Sequence, residues 1–150
     1  MFLFLFSMIL NSKANELEFI YQWDTKPKIV ICPDSKVKKE DVEAALEFWK
    51  TQGFNFKTKG IYYSDHCDLE YHTIQISDYA SNEEPRIRGE LGATNVTWIS
   101  WDSGETKTLE TVDVNIPVDS ANRHDVIFHE IGHAFGLAHN DNHFIMTPKL

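Results

Sequence analysis

The sequence is poor in basic residues and contains no repeats. Its 150 residues include 14 Lys and Arg against 23 Asp and Glu, giving a net charge of -9 and a pI of about 5.1. Because the phosphate backbone of a nucleic acid attracts basic faces, this balance argues against a nucleic-acid partner. Internal repeats and low-complexity segments are also missing, which excludes the repeat classes of protein. The length suits one domain with a sizeable core.

Long hydrophobic runs are also lacking. The most apolar stretch, 1–10, is half the roughly 20 residues that a helix needs to cross a bilayer, so we expect no stable membrane insertion. Small residues follow at Ser12 and Ala14, in the pattern of a secretory signal peptide cleaved after Ala14. This predicts a signal peptide over 1–14, a domain over 15–150 and a secreted protein. The alternative for the apolar stretch is an N-terminal core strand.

Cysteine is scarce: Cys32 and Cys67 are the only two. In an exported protein an even count favours one disulfide. That bond would close a loop of about 35 residues, which the loop-entropy model values at about 3–4 kcal/mol. In a cytosolic protein the same residues would be reduced core thiols, so the pairing depends on the export prediction.

A dense histidine motif is present near the end of the sequence. The segment from His129 to His139 reads H-E-x-x-H-x-x-G-x-x-H. His129 and His133 are four residues apart, so on a helix their imidazoles lie on one face and can share a metal ion. Gly136 tolerates the left-handed conformation that ends many helices, which lets the chain turn and bring His139 in as a third ligand. Three neutral imidazoles with an open fourth position suit catalytic zinc.

Glu130 follows the first histidine and lies near the rim of the same helix face. There a carboxylate reaches a metal-bound water without ligating the metal. Zinc lowers the pKa of that water and polarises a carbonyl, and Glu130 would take the proton and pass it to the leaving amine. The alternative is a buried helix with satisfied core histidines. Chance alone gives H-E-x-x-H in roughly one chain of this length in a few hundred, and the added glycine and third histidine make coincidence negligible.

The segment His129–His139 resembles the zinc motif of the metzincins. Metzincins also carry a methionine turn beneath the metal, and here Met146 follows the third histidine by seven residues. The turn is most similar to that of the matrixins, which also have proline two residues after the methionine, as at Pro148. Asn140 stands where matrixins usually have serine. The resemblance implies a zincin-like catalytic domain in which Met146 forms the floor of the site.

We expect an α+β fold with a mixed, twisted sheet of about five strands and two main helices, and the resemblance implies a short C-terminal Met-turn segment. Apolar spacing predicts helices over 37–51, with Trp49 in the core, and over 121–135. Alternation and β-branched content predict strands over 16–21, 28–31, 54–58, 71–79, 89–98 and 108–116. Polar stretches predict loops at 82–89 and 103–105.

The resemblance also implies where a substrate binds. In metzincins one strand leads into the zinc-binding helix, and the strand before it lies at the sheet edge over the cleft. Extended substrates pair with this edge strand by β-augmentation. The segment 89–98 occupies the matching place, and Gly92 and Ala93 would let a peptide backbone approach closely. The alternative is an ordinary edge strand with a glycine bulge.

Together these features predict a secreted zinc-dependent endopeptidase that binds one catalytic Zn²⁺ and acts on a peptide or protein substrate. His66, Cys67 and His72 lie close in sequence, but a solvated loop explains them better than a second, structural metal. Two other functions stay open: a non-catalytic, zinc-stabilised peptide-binding or structural protein, and a zinc amidase acting on a cell-wall crosslink. Glu130 favours an enzyme, because a purely structural zinc site does not need it.

Overall fold

The computed structural model describes residues 17–68, 70–78, 91–101 and 107–150. The predicted signal peptide over 1–14 and the predicted loops at 82–89 and 103–105 lie outside these ranges. The secondary-structure elements are β1 (Lys28–Ile31), α1 (Lys39–Thr51), β2 (Ile61–Tyr63), β3 (Thr73–Ser77), β4 (Ala93–Trp101), β5 (Lys107–Asn115), a 3-10 turn (Val118–Ser120) and α2 (His124–Ala134). Over these ranges, no helix is long and apolar enough to cross a membrane.

The five strands form one mixed sheet in the order β2-β1-β3-β5-β4. β1 pairs in parallel with β2 and β3, and β3 pairs in parallel with β5. β4 pairs antiparallel with β5 and lies at the edge of the sheet. The predicted five-stranded mixed sheet and two main helices are therefore confirmed.

The core joins the sheet to the two helices, which also pack on each other. Trp49 of α1 is fully buried, and its Nε1 donates a hydrogen bond to the carbonyl oxygen of Phe128 in α2, at 2.8 Å. Gly132 provides the space for this contact, because a Cβ there would lie only 2.7 Å from Cζ2 of Trp49. The assignment of Trp49 to the core is confirmed. Its packing fixes the position of α2, the helix that carries the first part of the histidine motif.

The predicted strand at 16–21 is wrong over its described part. Phe19 forms an isolated bridge with Leu137, and Gln22 forms another with Thr108. Leu137 follows α2 whereas Thr108 lies in β5, so the segment crosses between two elements instead of running along one strand.

The predicted strand at 54–58 is also wrong. Phe54 and Phe56 do share a face, but their rings pack against Trp49 at centroid distances of 5.8 and 5.9 Å. The backbone amide of Phe54 also bonds to the carbonyl of Trp49, so the segment stays attached to the end of α1. The place beside β1 is taken by β2, which begins at Ile61.

β2 was not predicted as a strand, whereas the other predicted strands and both helices agree with the structure to within about four residues. α1 begins at Lys39, two residues later than predicted, and ends at Thr51 as predicted. α2 begins at His124, not at 121, because the chain first forms the separate 3-10 turn. β1 matches its prediction, β3 is shorter than 71–79, and β4 continues to Trp101.

A disulfide joins Cys32, which follows β1, to Cys67, which follows β2. Their Cα atoms are 5.6 Å apart, within the usual range for a disulfide. This is the pair that the cysteine count predicted. Because the sulfur of Cys67 is bonded, it is not a free thiolate that could bind a metal with its neighbours in sequence.

Candidate metal centre

Three histidine side chains converge at one point, and they are the three that the motif predicts. The Nε2 atom of His133 lies 2.9 Å from that of His129 and 3.0 Å from that of His139, and the third separation is 3.3 Å. Ligand atoms about 2.0–2.1 Å from one tetrahedral zinc ion are about 3.4 Å apart. The three nitrogens are therefore close enough to bind a single metal ion.

Backbone carbonyls determine which ring nitrogen carries the proton in two of these histidines. Nδ1 of His129 lies 2.6 Å from the carbonyl oxygen of Ile145, and Nδ1 of His133 lies 2.7 Å from that of Leu137. A carbonyl oxygen only accepts, so each Nδ1 donates its N–H. The neutral rings then present bare Nε2 lone pairs to each other, an arrangement that is repulsive until a cation binds to both. The donor set thus fits a metal ion.

Gly136 brings the third histidine into place. It has a φ of +99°, in the left-handed region that glycine favours, and its N–H donates to the carbonyl oxygen of His133 at 2.8 Å. A Cβ at Gly136 would collide with the carbonyl oxygen of Tyr21. The predicted turn at Gly136, which returns the chain to place His139, is confirmed.

Met146 lies beneath α2, close to the histidines. Its side chain is fully buried, and its sulfur packs against Gly132, where an added Cβ would approach it to 2.8 Å. Gly132 lies between His129 and His133 in the helix, so Met146 supports the turn that separates the two ligands. The preceding residue, Ile145, supplies the carbonyl that binds the ring of His129.

His143 organises the chain around Met146. Its Nδ1 accepts hydrogen bonds from the backbone amides of Ile145, at 3.2 Å, and Met146, at 3.0 Å. The buried ring stacks on Trp49 and on Phe144, with centroid distances of 5.7 and 5.1 Å. Burial lowers the pKa of His143, which keeps the ring neutral and its Nδ1 able to accept.

The carboxylate of Glu130 is buried beside the histidines. Thr94 of β4 donates its hydroxyl to Oε2 of Glu130 at 2.6 Å. Gly92 packs against the same side chain, because a Cβ there would lie 2.8 Å from Oε1. Among the described residues, the cluster of atoms close enough to share a metal contains only the three histidines. Glu130 thus lines the same cleft as the three histidines and is not part of their cluster.

A cleft of about 500 Å³ opens over the three histidines and Glu130. One wall is the start of edge strand β4 with the residues before it, and the other is the segment after Met146; the wall residues are Leu91, Gly92, Ala93, Thr94, Pro148, Lys149 and Leu150. Gly92 and Ala93 therefore line the cleft, and their role in binding a substrate stays a prediction. The space left by the missing Cβ of Gly92 is filled by Glu130 and Val126, so this glycine also packs against α2.

Burial lowers the pKa of both helix histidines. Desolvation is the main cause, and the neighbouring imidazoles lower the pKa of both rings further. The pKa of His133 falls to about 4. The hydrogen bonds to the carbonyls of Ile145 and Leu137 act in the opposite direction. Both rings are therefore neutral at pH 7, the state in which an imidazole binds a metal.

Thr94 and His143 were not identified from the sequence. Thr94 lies in β4, and local sequence patterns do not show its contact with Glu130 of α2. His143 is a lone histidine in a polar turn and gives no signal of its own. Comparison of the chain with protein-family models and with curated proteins found no match. The functional argument therefore depends on the geometry of the site and on the motif itself.

Proposed function

We propose that this protein is a secreted zinc-dependent endopeptidase with a metzincin-like catalytic domain, most like that of the matrixins. The observation that carries the proposal is the convergence of three imidazole nitrogens in an open cleft that a buried carboxylate also lines. His129, His133 and His139 would hold the ion. Zinc bound there supplies a water of lowered pKa and a positive charge that polarises the substrate carbonyl.

Glu130 is the proposed general base. Its carboxylate lies in the same cleft as the ligand nitrogens and is held by the hydroxyl of Thr94. It would accept the proton of the attacking water on a carboxylate oxygen and deliver it to the nitrogen of the leaving amine. A structural metal site has no use for a carboxylate in this place, so Glu130 supports an enzyme over a binding protein.

The shape of the cleft supports an extended peptide as the substrate. β4 is an edge strand, and its first residues form one wall of the cleft. An extended chain can add to such an edge through main-chain hydrogen bonds, which position a peptide bond without demanding a particular side chain. The Cys32–Cys67 disulfide supports secretion, because such bonds persist in oxidising compartments.

Metal analysis followed by an unbiased peptide-library digest tests this proposal. We expect about one zinc ion per chain after zinc repletion and cleavage that a chelator abolishes. A cell-wall preparation is digested in parallel, because cleavage of the wall alone would favour an amidase. Zinc binding without cleavage of either would favour a non-catalytic protein, and no zinc binding would overturn the site.

The substitution Glu130→Gln tests the role of the base. Glutamine keeps the shape of the side chain but cannot take a proton, and general-base catalysis contributes about 10²–10⁴-fold. We expect turnover to fall by at least the lower of these factors while zinc content stays unchanged. Glu43→Gln on the exposed face of α1 is the matched control and should retain activity. Near wild-type cleavage by the Glu130 variant would contradict the mechanism.

A further inference from the structure

We propose that His143 is a positioning residue for the metal centre. Its Nδ1 fixes the backbone that in turn orients the ligand His129, so its substitution should weaken metal binding although it lies outside the ligand set. The inference rests on the metal site of the proposed function. It does not depend on the reaction that the metal serves.

The first step is the contact between His143 and the backbone. Its Nδ1 accepts the amide protons of both Ile145 and Met146, at 3.2 and 3.0 Å. Both residues are buried, with 6% and 0% of their surface exposed, so water is a poor substitute for this acceptor. A buried amide that loses its partner bears the full cost of its desolvation, which favours a conformation in which the two amides find other acceptors.

The second step leads from this segment to the metal ligand. The carbonyl oxygen of Ile145 accepts the Nδ1 proton of His129 at 2.6 Å. The carbonyl of Met146 accepts the amide of Asn140 at 2.8 Å, which closes the loop that begins beside His139. The amide of Met146 and the carbonyl of Ile145 belong to the same planar peptide unit, so His143 and the ligand His129 bind opposite sides of one rigid group.

The third step is the attachment of His143 itself. Its ring stacks on Trp49 with an interplanar angle of 20°, and Trp49 is bonded to the carbonyl of Phe128, directly before His129. The position of Nδ1 is therefore set by the same packing that positions α2. Because the acceptor and the first ligand share this support, they keep a constant relative position.

Two substitutions separate the acceptor from the ring. His143→Asn keeps an acceptor, Oδ1, near the position of Nδ1 but loses the stacking on Trp49. His143→Phe keeps an aromatic ring but loses the acceptor. His124→Phe is the matched control, because His124 also stacks on a phenylalanine, Phe128, but is 61% exposed and away from the ligands.

The measurements are the zinc affinity by chelator competition, the visible absorption of the cobalt-substituted protein, and the melting temperature of the metal-free protein. Loss of a partner that orients a metal ligand typically weakens metal affinity about 10–100-fold. We expect that loss, with an altered cobalt spectrum, for His143→Phe. His143→Asn should keep most of the affinity and the wild-type spectrum while melting at a lower temperature. His124→Phe should match the wild type in affinity and spectrum.

Several outcomes would overturn the inference. His143→Phe with wild-type zinc affinity would show that the acceptor is not needed. His143→Asn with a 10–100-fold loss would show that stacking, and not the acceptor, supports the site. If His143→Phe does not fold, the zinc affinity of His143→Asn decides alone. A wild-type protein that binds zinc but cleaves no peptide would overturn the proposed function. The role of His143 would still be decided by the zinc affinities of its variants.

Discussion

The hydroxyl of Thr94 donates to the carboxylate of Glu130 at 2.6 Å, which makes Thr94 the first residue to test beside the proposed general base. A hydrogen bond to a charged group contributes about 1.5–3 kcal/mol. Since each 1.36 kcal/mol is a factor of ten in rate, we expect Thr94→Val to lower kcat/KM by about 10–100-fold. Thr94→Ser keeps the hydroxyl and should stay near the wild type, and zinc content should not change in either. Equal activity of the two variants would contradict a role for the hydroxyl.

The buried histidines predict how the stability of the metal-free protein depends on pH. Burial lowers the pKa of His129 and His133 below the ordinary value of 6.5, and that of His133 reaches about 4. Between these values the unfolded chain binds more protons than the folded one, so the free energy of unfolding decreases as the pH falls from 6.5 towards 4. Urea denaturation across this range should show the decrease.

The matched comparison for this pH dependence is His133→Gln, which removes the ring whose pKa falls to about 4. Its free energy of unfolding should depend less on pH over the same window. A wild-type protein with constant stability from pH 6.5 to about 4 would contradict the assignment of both rings as neutral, buried groups.

At the scale of elements, the end of α2 determines whether the third ligand reaches the site. Gly136 and Gly53 both have positive φ, +99° and +93°, and each follows a helix. A Cβ at Gly53 meets nothing within 4 Å, whereas one at Gly136 collides with the carbonyl of Tyr21. Both alanine variants incur the strain of a left-handed residue, about 1–2 kcal/mol, but only Gly136→Ala also displaces the chain that leads to His139.

We therefore expect Gly136→Ala to lower both the melting temperature and the zinc affinity, and Gly53→Ala to lower the melting temperature alone. Thermal unfolding and chelator competition measure the two effects. Equal zinc affinity in the two variants would show that the site tolerates movement at the end of α2.

Some elements could be predicted from the sequence and others could not. The histidine motif could be predicted because its ligands lie within one helix and the turn that ends it, so local spacing determines their geometry. The 54–58 segment could not, because its alternating phenylalanines pack on α1 and not on a sheet. Thr94 could not be found because it contacts Glu130 of another element, and His143 could not because its ring is held by Trp49 of α1. Local sequence patterns do not show which distant segments pack against each other.

At the scale of the whole molecule, the disulfide and the metal centre occupy different parts of the sheet. Cys32 follows β1, and the cleft is bounded by β4, with β3 and β5 between these two strands. Adjacent strands are about 4.8 Å apart, so the two features are separated by about 14 Å across the sheet. A change at the disulfide should therefore act on the stability of the fold and not on the geometry of the ligands.

Reduction of the Cys32–Cys67 bond tests this separation. The cysteines are 35 residues apart, and a loop of this size is worth about 3–4 kcal/mol in the loop-entropy model, because the crosslink restricts the unfolded chain. We expect the free energy of unfolding of the reduced wild type to be lower by up to this amount, measured by urea denaturation of the metal-free protein. Reduced and oxidised chains have the same side chains, so packing changes that accompany substitution are avoided.

Zinc affinity, measured below the unfolding transition, should be equal in the two forms. If reduction weakened zinc binding while the protein stayed folded, the ligands would be coupled to β1 through the sheet, and the independence of the two regions would be wrong.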